Sequence, residues 1–286
     1  MLEKLSRSFD LIYASAALLK HDRRLLVFPL LSSLAALLVL TGVILPLYVM
    51  NVIDGITRGN GPDLNNRDYL IGFLFYFIEY FIIFFFNVAL VSCVMLRMDG
   101  GRPTVAYGLR VAASKAHVIL GYAFIAATVG MILRAIGERV GFVGRLIVAL
   151  MGAAWTMATY LVVPVLVAND VGPLTAVGDS IELLKRTWGE SVIGQFGIGL
   201  GFFVIYLVIG TVGAIFVGIA CAIHSPVIIA LAALTLIIAV MLAILVHSAL
   251  GGIYSAVLYR FATAGEGTPG FDQGVLQDAF APKAGS

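Results

Sequence analysis

The sequence predicts an all-α membrane protein that crosses the bilayer six times. Three observations carry this reading: 61% of the 286 residues are hydrophobic, only 12% are charged, and the apolar residues fall in long unbroken runs. Soluble domains average roughly 45–50% apolar and about 25% charged residues, so a soluble fold of this size lacks the polar surface it needs. Disordered chains lack so much apolar content. The mean hydropathy of +1.04 points the same way.

A spanning helix needs ~20 mostly apolar residues to cross ~30 Å of hydrocarbon. Six segments meet that length: 25–50, 69–96, 117–135, 145–168, 192–221 and 226–259. The sixth overruns the hydrocarbon and is expected to tilt, project into water or bend near Gly251-Gly252. Pro46 and Pro164 inside spans are tolerated there and mark bends. Outer-membrane strands alternate apolar with polar residues, whereas Leu34-Ala35-Ala36-Leu37-Leu38-Val39-Leu40 is continuous. The first apolar run is also too long for a signal-peptide core, and no small-residue cleavage motif precedes its end, so the segment is expected to stay on the chain.

Lys and Arg set the orientation. With these spans, 13 of the 18 basic residues lie on one side and 5 on the other, so both termini are expected in the cytoplasm. Arg58, Arg67, Arg134, Arg139 and Arg145 make up the minority. Among them Arg134 is spaced i,i+4 from Glu138, a distance that allows a helical ion pair. The formal net charge of +2 gives no basic excess for nucleic acid.

Three shorter segments on the basic side show helical periodicity. Residues 2–20 place Leu2, Leu5, Phe9, Ile12, Ala16 and Leu19 on one stripe, opposite Glu3, Arg7 and Asp10. Residues 173–188 set Leu174, Val177, Ile181, Leu184 and Trp188 against Asp179, Glu182 and Arg186. Residues 103–116 are a weaker version, with Val105, Leu109, Ala113 and Ala116 against Arg110 and Ser114. Helices of this kind lie in the membrane interface. The expected unit is an interfacial helix followed by a membrane hairpin, used three times in one membrane domain, 1–260, with a cytoplasmic tail at 261–286. Letter matches support the repeat: Ser8-Phe9-Asp10 with Ser180-Ile181-Glu182, and Pro103 to Gly108 with Pro173 to Gly178. Pro103 and Pro173 each suit a first helical turn.

Ser8-Phe9-Asp10, Leu18-Leu19-Lys20-His21-Asp22 and Leu25-Leu26-Val27-Phe28-Pro29-Leu30-Leu31-Ser32 together resemble a family of prokaryotic multi-span membrane proteins that carries a domain of unknown function. The similarity covers most of the chain through the sixth span. It implies the cell membrane of a bacterium or archaeon, and it brings no reaction and no site residues with it.

Ionisable groups at bilayer depth are the natural candidates for function, because a charge there is costly. Glu79 lies in the second span among Phe75, Tyr76, Tyr80 and Phe84, and His247 lies in the sixth beside Ser248. Asn87 follows Glu79 by eight residues, about 80° around a helix, so the two share a broad face. Two readings of Glu79 stay open: a proton- or cation-binding carboxylate relayed by Asn87 or His247, or a neutral group that locks packing by hydrogen bonding to a neighbouring helix. The stripe Phe73, Phe77, Tyr80, Phe81 and Phe84 is expected to face lipid or neighbouring helices. Tyr48, Tyr69 and Tyr107 suit interface anchors.

Glycine supplies 31 residues. In the fifth span Gly197 and Gly201 form a GxxxG pair, followed by Gly210 and Gly213, and small residues let helix backbones approach closely in lipid. The partner, a helix of this chain or of a second subunit, is open at this level.

Catalytic motifs are missing: no HExxH, CxxC, GxSxG or GxxxxGK[ST] occurs. His21, His117, His224 and His247 are scattered, which argues against zinc. Cys93 and Cys221 fall in or at the edge of apolar segments and suit small buried hydrophobes. Asp99-Gly100-Gly101-Arg102-Pro103 and Asn169-Asp170 suit turns. The expectation is therefore a protein without enzymatic activity and without a cofactor. Its partners are the lipid bilayer and a membrane protein or a second copy, and its role is that of a scaffold or accessory subunit. The alternative is a transporter or channel for a small solute, ion or lipid that works through Glu79.

Overall fold

The computed structural model describes residues 2–46, 48–49 and 66–264, and every regular element among them is helical. Six helices are long and apolar enough to cross a membrane: Arg23–Gly42, Leu70–Met98, Ala116–Arg139, Phe142–Ala168, Gly197–Ala222 and Pro226–Thr263. The chain is an all-α multi-pass membrane protein. Arg58 and the tail from residue 265 onward lie outside the described residues.

Element order follows a threefold plan. Helix α1 (Leu2–His21) is followed, after the 3-10 turn Arg23–Leu26, by a hairpin of α2 (Val27–Val39) and α3 (Asn66–Met98). Then α4 (Val105–Ser114) precedes a hairpin of α5 (Ala116–Arg139), α6 (Phe142–Ala158) and α7 (Val162–Ala168). Finally α8 (Pro173–Arg186) precedes the hairpin of α9 (Trp188–Ala222) and α10 (Pro226–Ala264). The three short helices fall where periodicity put them, to within a turn. One unit of packing contains α1, the turn Arg23–Leu26, α9 and α10; the other contains α2 to α8.

Each short helix packs mainly on the hairpin before it in the chain. Helix α4 packs on α3, and α8 packs on α5, α6 and α7. Helix α1 packs on α9 and α10 of the third.

The register of the repeat differs from the letter matches. The short helices α4 and α8 each join their long helix through one residue outside α geometry, Lys115 (φ −101°, ψ 10°) and Thr187 (φ −112°, ψ 25°). Counted back seven and three residues from Asp22, Lys115 and Thr187, the positions are Ser15 and Leu19, Gly108 and Ala112, Ser180 and Leu184, and all six are buried. That register offsets α4 from α8 by 72 residues, whereas Pro103 and Pro173 are 70 apart. Pro173 does open α8, but Pro103 sits one residue before the helix N-cap, Thr104, whose side chain accepts from Tyr107 N–H. Small size at a close crossing, not a shared word, is what repeats: a Cβ on Gly108 would stand 2.6 Å from the Ala89 carbonyl oxygen and 2.8 Å from Phe28.

The packing face of α8 also departs from the periodic stripe. Ala176, Ser180 and Leu184 are buried, while Leu174 is 73% exposed and Ile181 is exposed. Glu182 and Arg186 pair on the charged side at 2.8 Å. The helix therefore carries a small-residue side for protein, an apolar side left open, and a charged side.

Pro164 breaks the fourth span as expected, because its ring displaces the carbonyl four residues earlier and its N–H is missing. The break lies between α6 and α7, and its freed backbone groups are served by α8: Leu161 N–H donates to Ser180 Oγ at 3.1 Å, and Ser180 Oγ donates to the Ala158 carbonyl at 2.7 Å. Near Pro46, α2 widens into a π turn over Leu40–Ile44. Gly100-Gly101 terminates α3: Gly100 takes φ +80°, and Gly101 N–H reaches back to the Leu96 carbonyl at 2.9 Å. Helix α10 runs unbroken through Gly251-Gly252 to residue 264, past the expected end of the span.

Candidate intramembrane polar site

Glu79 lies on α3 with its side chain part exposed, and it makes no hydrogen bond or ion pair with another described residue. The side of α3 that faces α5 is marked by Tyr76, Tyr80 and Phe84. Tyr76 Oη accepts from Arg134 Nη1 at 2.7 Å, the Phe84 and Tyr122 ring centroids are 4.5 Å apart, and Gly130 leaves room for the Tyr80 hydroxyl. Helical geometry puts Glu79 roughly 60° around from Tyr76, away from Tyr80. Asn87 falls back on the α5-facing side, about 12 Å along the axis from Glu79 at 1.5 Å per residue, beyond hydrogen-bond reach.

Periodicity alone missed the partner of this face, Arg134. Its Nε meets Glu138 at 2.9 Å, the i,i+4 pair expected from spacing, while its Nη1 crosses to Tyr76 and its guanidinium stands 6.0 Å from that ring's centroid. A charged group thus bridges α3 and α5 one turn of α3 from Glu79. The signal in the sequence was a tyrosine in the outer third of one span and an arginine in the outer third of the next but antiparallel one. The aromatic stripe also packs on α5: Phe73 and Phe77 both meet Phe124 edge-on, at 5.6 and 6.2 Å.

His247 belongs to the other unit, on α10. Its Nδ1 lies 3.2 Å from Tyr206 Oη, and its ring stacks on Phe202 at 4.3 Å with 5° between planes. Both partners come from α9, so the histidine ties the two arms of the third hairpin. The contact can pass or hold a hydrogen bond, and no carboxylate takes part in it.

The four glycines singled out in α9 divide. A Cβ on Gly197 would stand 3.2 Å from Ile12 of α1, and Gly213 lies against Leu236 of α10. A Cβ on Gly201 or Gly210 would meet nothing within 4 Å. Beside Gly213 a groove of about 410 Å³ runs between α9 and α10, lined by Val212, Phe216, Ala232, Thr235 and Ala239 among others. The Thr235 hydroxyl donates to the Leu231 carbonyl at 2.8 Å, so the groove offers no free polar hydrogen.

Cys93 is buried and its Sγ contacts the Thr104 carbonyl, while Cys221 is exposed rather than buried. Exposure of Cys221 follows from its place near the end of α9, where the hairpin has little to pack on. Among the described residues no group of three His, Cys, Asp or Glu gathers as a metal site. Tyr48 is exposed, Tyr107 is half-buried, and nothing is described of the Tyr69 side chain.

A family model matches residues 67–271, more than two thirds of the chain, and its description is a family of unknown function, DUF6159. The match starts beyond residues 8–32, where the resemblance was first carried. No curated protein and no solved structure matches the chain.

Proposed function

The chain belongs to the family of unknown function DUF6159, and we propose that it is a non-enzymatic scaffold or accessory subunit in the cell membrane of a prokaryote, with both termini in the cytoplasm. The observation that carries this reading is the open face of α9. Gly210, Ala214 and Gly218 recur at four-residue spacing, all exposed, with nothing opposite either glycine. Tyr206, Thr211 and Ile215 flank them around a concave surface. A face of this kind lets another helix backbone come within van der Waals contact, the main source of helix affinity in lipid. A photo-crosslinker at Thr211 in native membranes should give a discrete protein adduct, and one at Leu234 on α10 should give lipid adducts only. Lipid adducts alone at both positions would remove the support.

A transporter or channel is favoured by one observation, the unpaired Glu79 carboxylate one turn from Arg134. Its test is Glu79→Gln: abolished flux with an intact fold supports transport, and a change in stability alone supports the packing role.

A further inference from the structure

The tip of the second hairpin joins two arginines to an exposed apolar pair. Arg139 ends α5 and Arg145 lies in the first turn of α6, both exposed. Between them Phe142 and Val143 are 84% and 69% exposed. The nearby carboxylate, Glu138, is already held by Arg134. No acidic side chain among the described residues pairs with Arg139 or Arg145, and the one hydrogen bond of Arg145's guanidinium goes to the Val140 carbonyl. Among the described residues, therefore, the tip carries two positive charges without a counter-charge.

The turn is short: only Val140 and Gly141 join α5 to α6, and Val140 lies over Gly144. The charges are thus presented at a tight turn and not on a long loop. Its depth follows from length. Helix α5 runs 24 residues from the short-helix end to the tip, about 36 Å at 1.5 Å per residue. That is a few ångströms more than the ~30 Å hydrocarbon, so the tip, with its two arginines and its exposed Phe142-Val143 pair, falls at the level of the headgroup layer.

We propose that this tip is a binding surface for anionic phospholipid headgroups, with Arg139 and Arg145 taking the phosphates and Phe142-Val143 entering the leaflet. Charge complementarity selects the occupant: guanidinium forks match phosphate oxygens two by two, and the neighbouring apolar pair demands a partner that offers hydrocarbon beside its charge. A soluble anion supplies only the first. The arginines, which oppose the usual basic-side bias, thereby gain a role that an uncharged turn would not fill.

The test uses the full-length protein in nanodiscs or detergent, with phosphatidylglycerol and phosphatidylcholine as probes and bound lipid counted by native mass spectrometry. Each basic residue near an anionic surface contributes about fivefold in affinity, so Arg139→Gln with Arg145→Gln should cut the phosphatidylglycerol preference roughly thirtyfold. Arg139→Lys with Arg145→Lys should keep most of it. Brominated phosphatidylglycerol should quench a Phe142→Trp reporter more than brominated phosphatidylcholine does, and the charge-removed background should lose the difference. An unchanged preference in the folded double Gln variant, or equal quenching by the two lipids, would overturn the proposal. Inorganic phosphate that competes as well as the lipid would overturn it too, because it would make the site one for a free anion.

Discussion

Helices α3 and α9 are similar in length and apolarity, yet they are used differently. In α3, 39% of the most apolar stretch is buried; in α9, 6% is. The contrast repeats inside α10, where most large side chains from Val227 to Leu242 are exposed, while Ala249, Ile253, Tyr254, Ala256, Val257 and Leu258 are each at most 1% exposed. That change comes where α1 and the turn Arg23–Leu26 pack against α10. In α3 the fully buried run, Val88 to Val94, likewise ends beside α4. Hydrophobicity says that a segment avoids water; whether it meets lipid or protein is decided by the short helices. Protein forms a tight core at the short-helix end of each unit and leaves the far arms to the bilayer.

Mutations should sort by that division. The largest effect is expected at Phe28, buried against Gly108: Phe28→Ala should cost about 3–5 kcal/mol, whereas Phe216→Ala on the open arm of α9 should stay within about 0.5 kcal/mol. Thermal unfolding of the purified protein in one detergent compares the two, and equal losses would erase the distinction.

Ser180→Ala sharpens it at the core. The substitution leaves the Leu161 N–H and the Ala158 carbonyl without their partner, a loss of about 1–3 kcal/mol, and hydrogen exchange at Leu161 should rise with it. Retained protection at Leu161 would show that the break in the fourth span is served otherwise.

Glycine gives the next comparison, within the short helices themselves. Gly108→Ala pushes a methyl group onto the Ala89 carbonyl and should destabilise by about 1–3 kcal/mol. The letter-matched Gly178 faces open space, so Gly178→Ala should stabilise by about 0.5–1 kcal/mol through helix propensity. Melting temperatures that move the same way would favour the letter register over the packing register.

Much of the architecture was legible in the sequence because length and hydropathy act locally. A run long enough to span has few alternatives, and the short helices announced themselves by period. The register of the repeat was not legible, since Ser15, Gly108 and Ser180 share only small size at a crossing, which no letter comparison weighs. Which side of α8 meets protein was not legible either: Leu174 and Ile181 belong to the periodic stripe yet are exposed, because near a membrane an apolar face need not be a packing face. At the polar site, Glu79 and His247 stood out as charge-bearing groups within spans. Their surroundings did not, because Tyr76, Arg134 and Tyr206 come from helices whose pairing only the fold supplies. Arg134 in particular had a sufficient local partner in Glu138, and that pair hid its reach to α3.

A spin label moved residue by residue along α10, with oxygen accessibility read in lipid nanodiscs, tests the division most directly because one helix carries both halves. High accessibility from residue 227 to 242 except on the side of Leu236 that meets α9, falling to a low plateau from 249 to 258, is the predicted profile. A profile that is low throughout, or that keeps a 3.6-residue oscillation past residue 249, would contradict it.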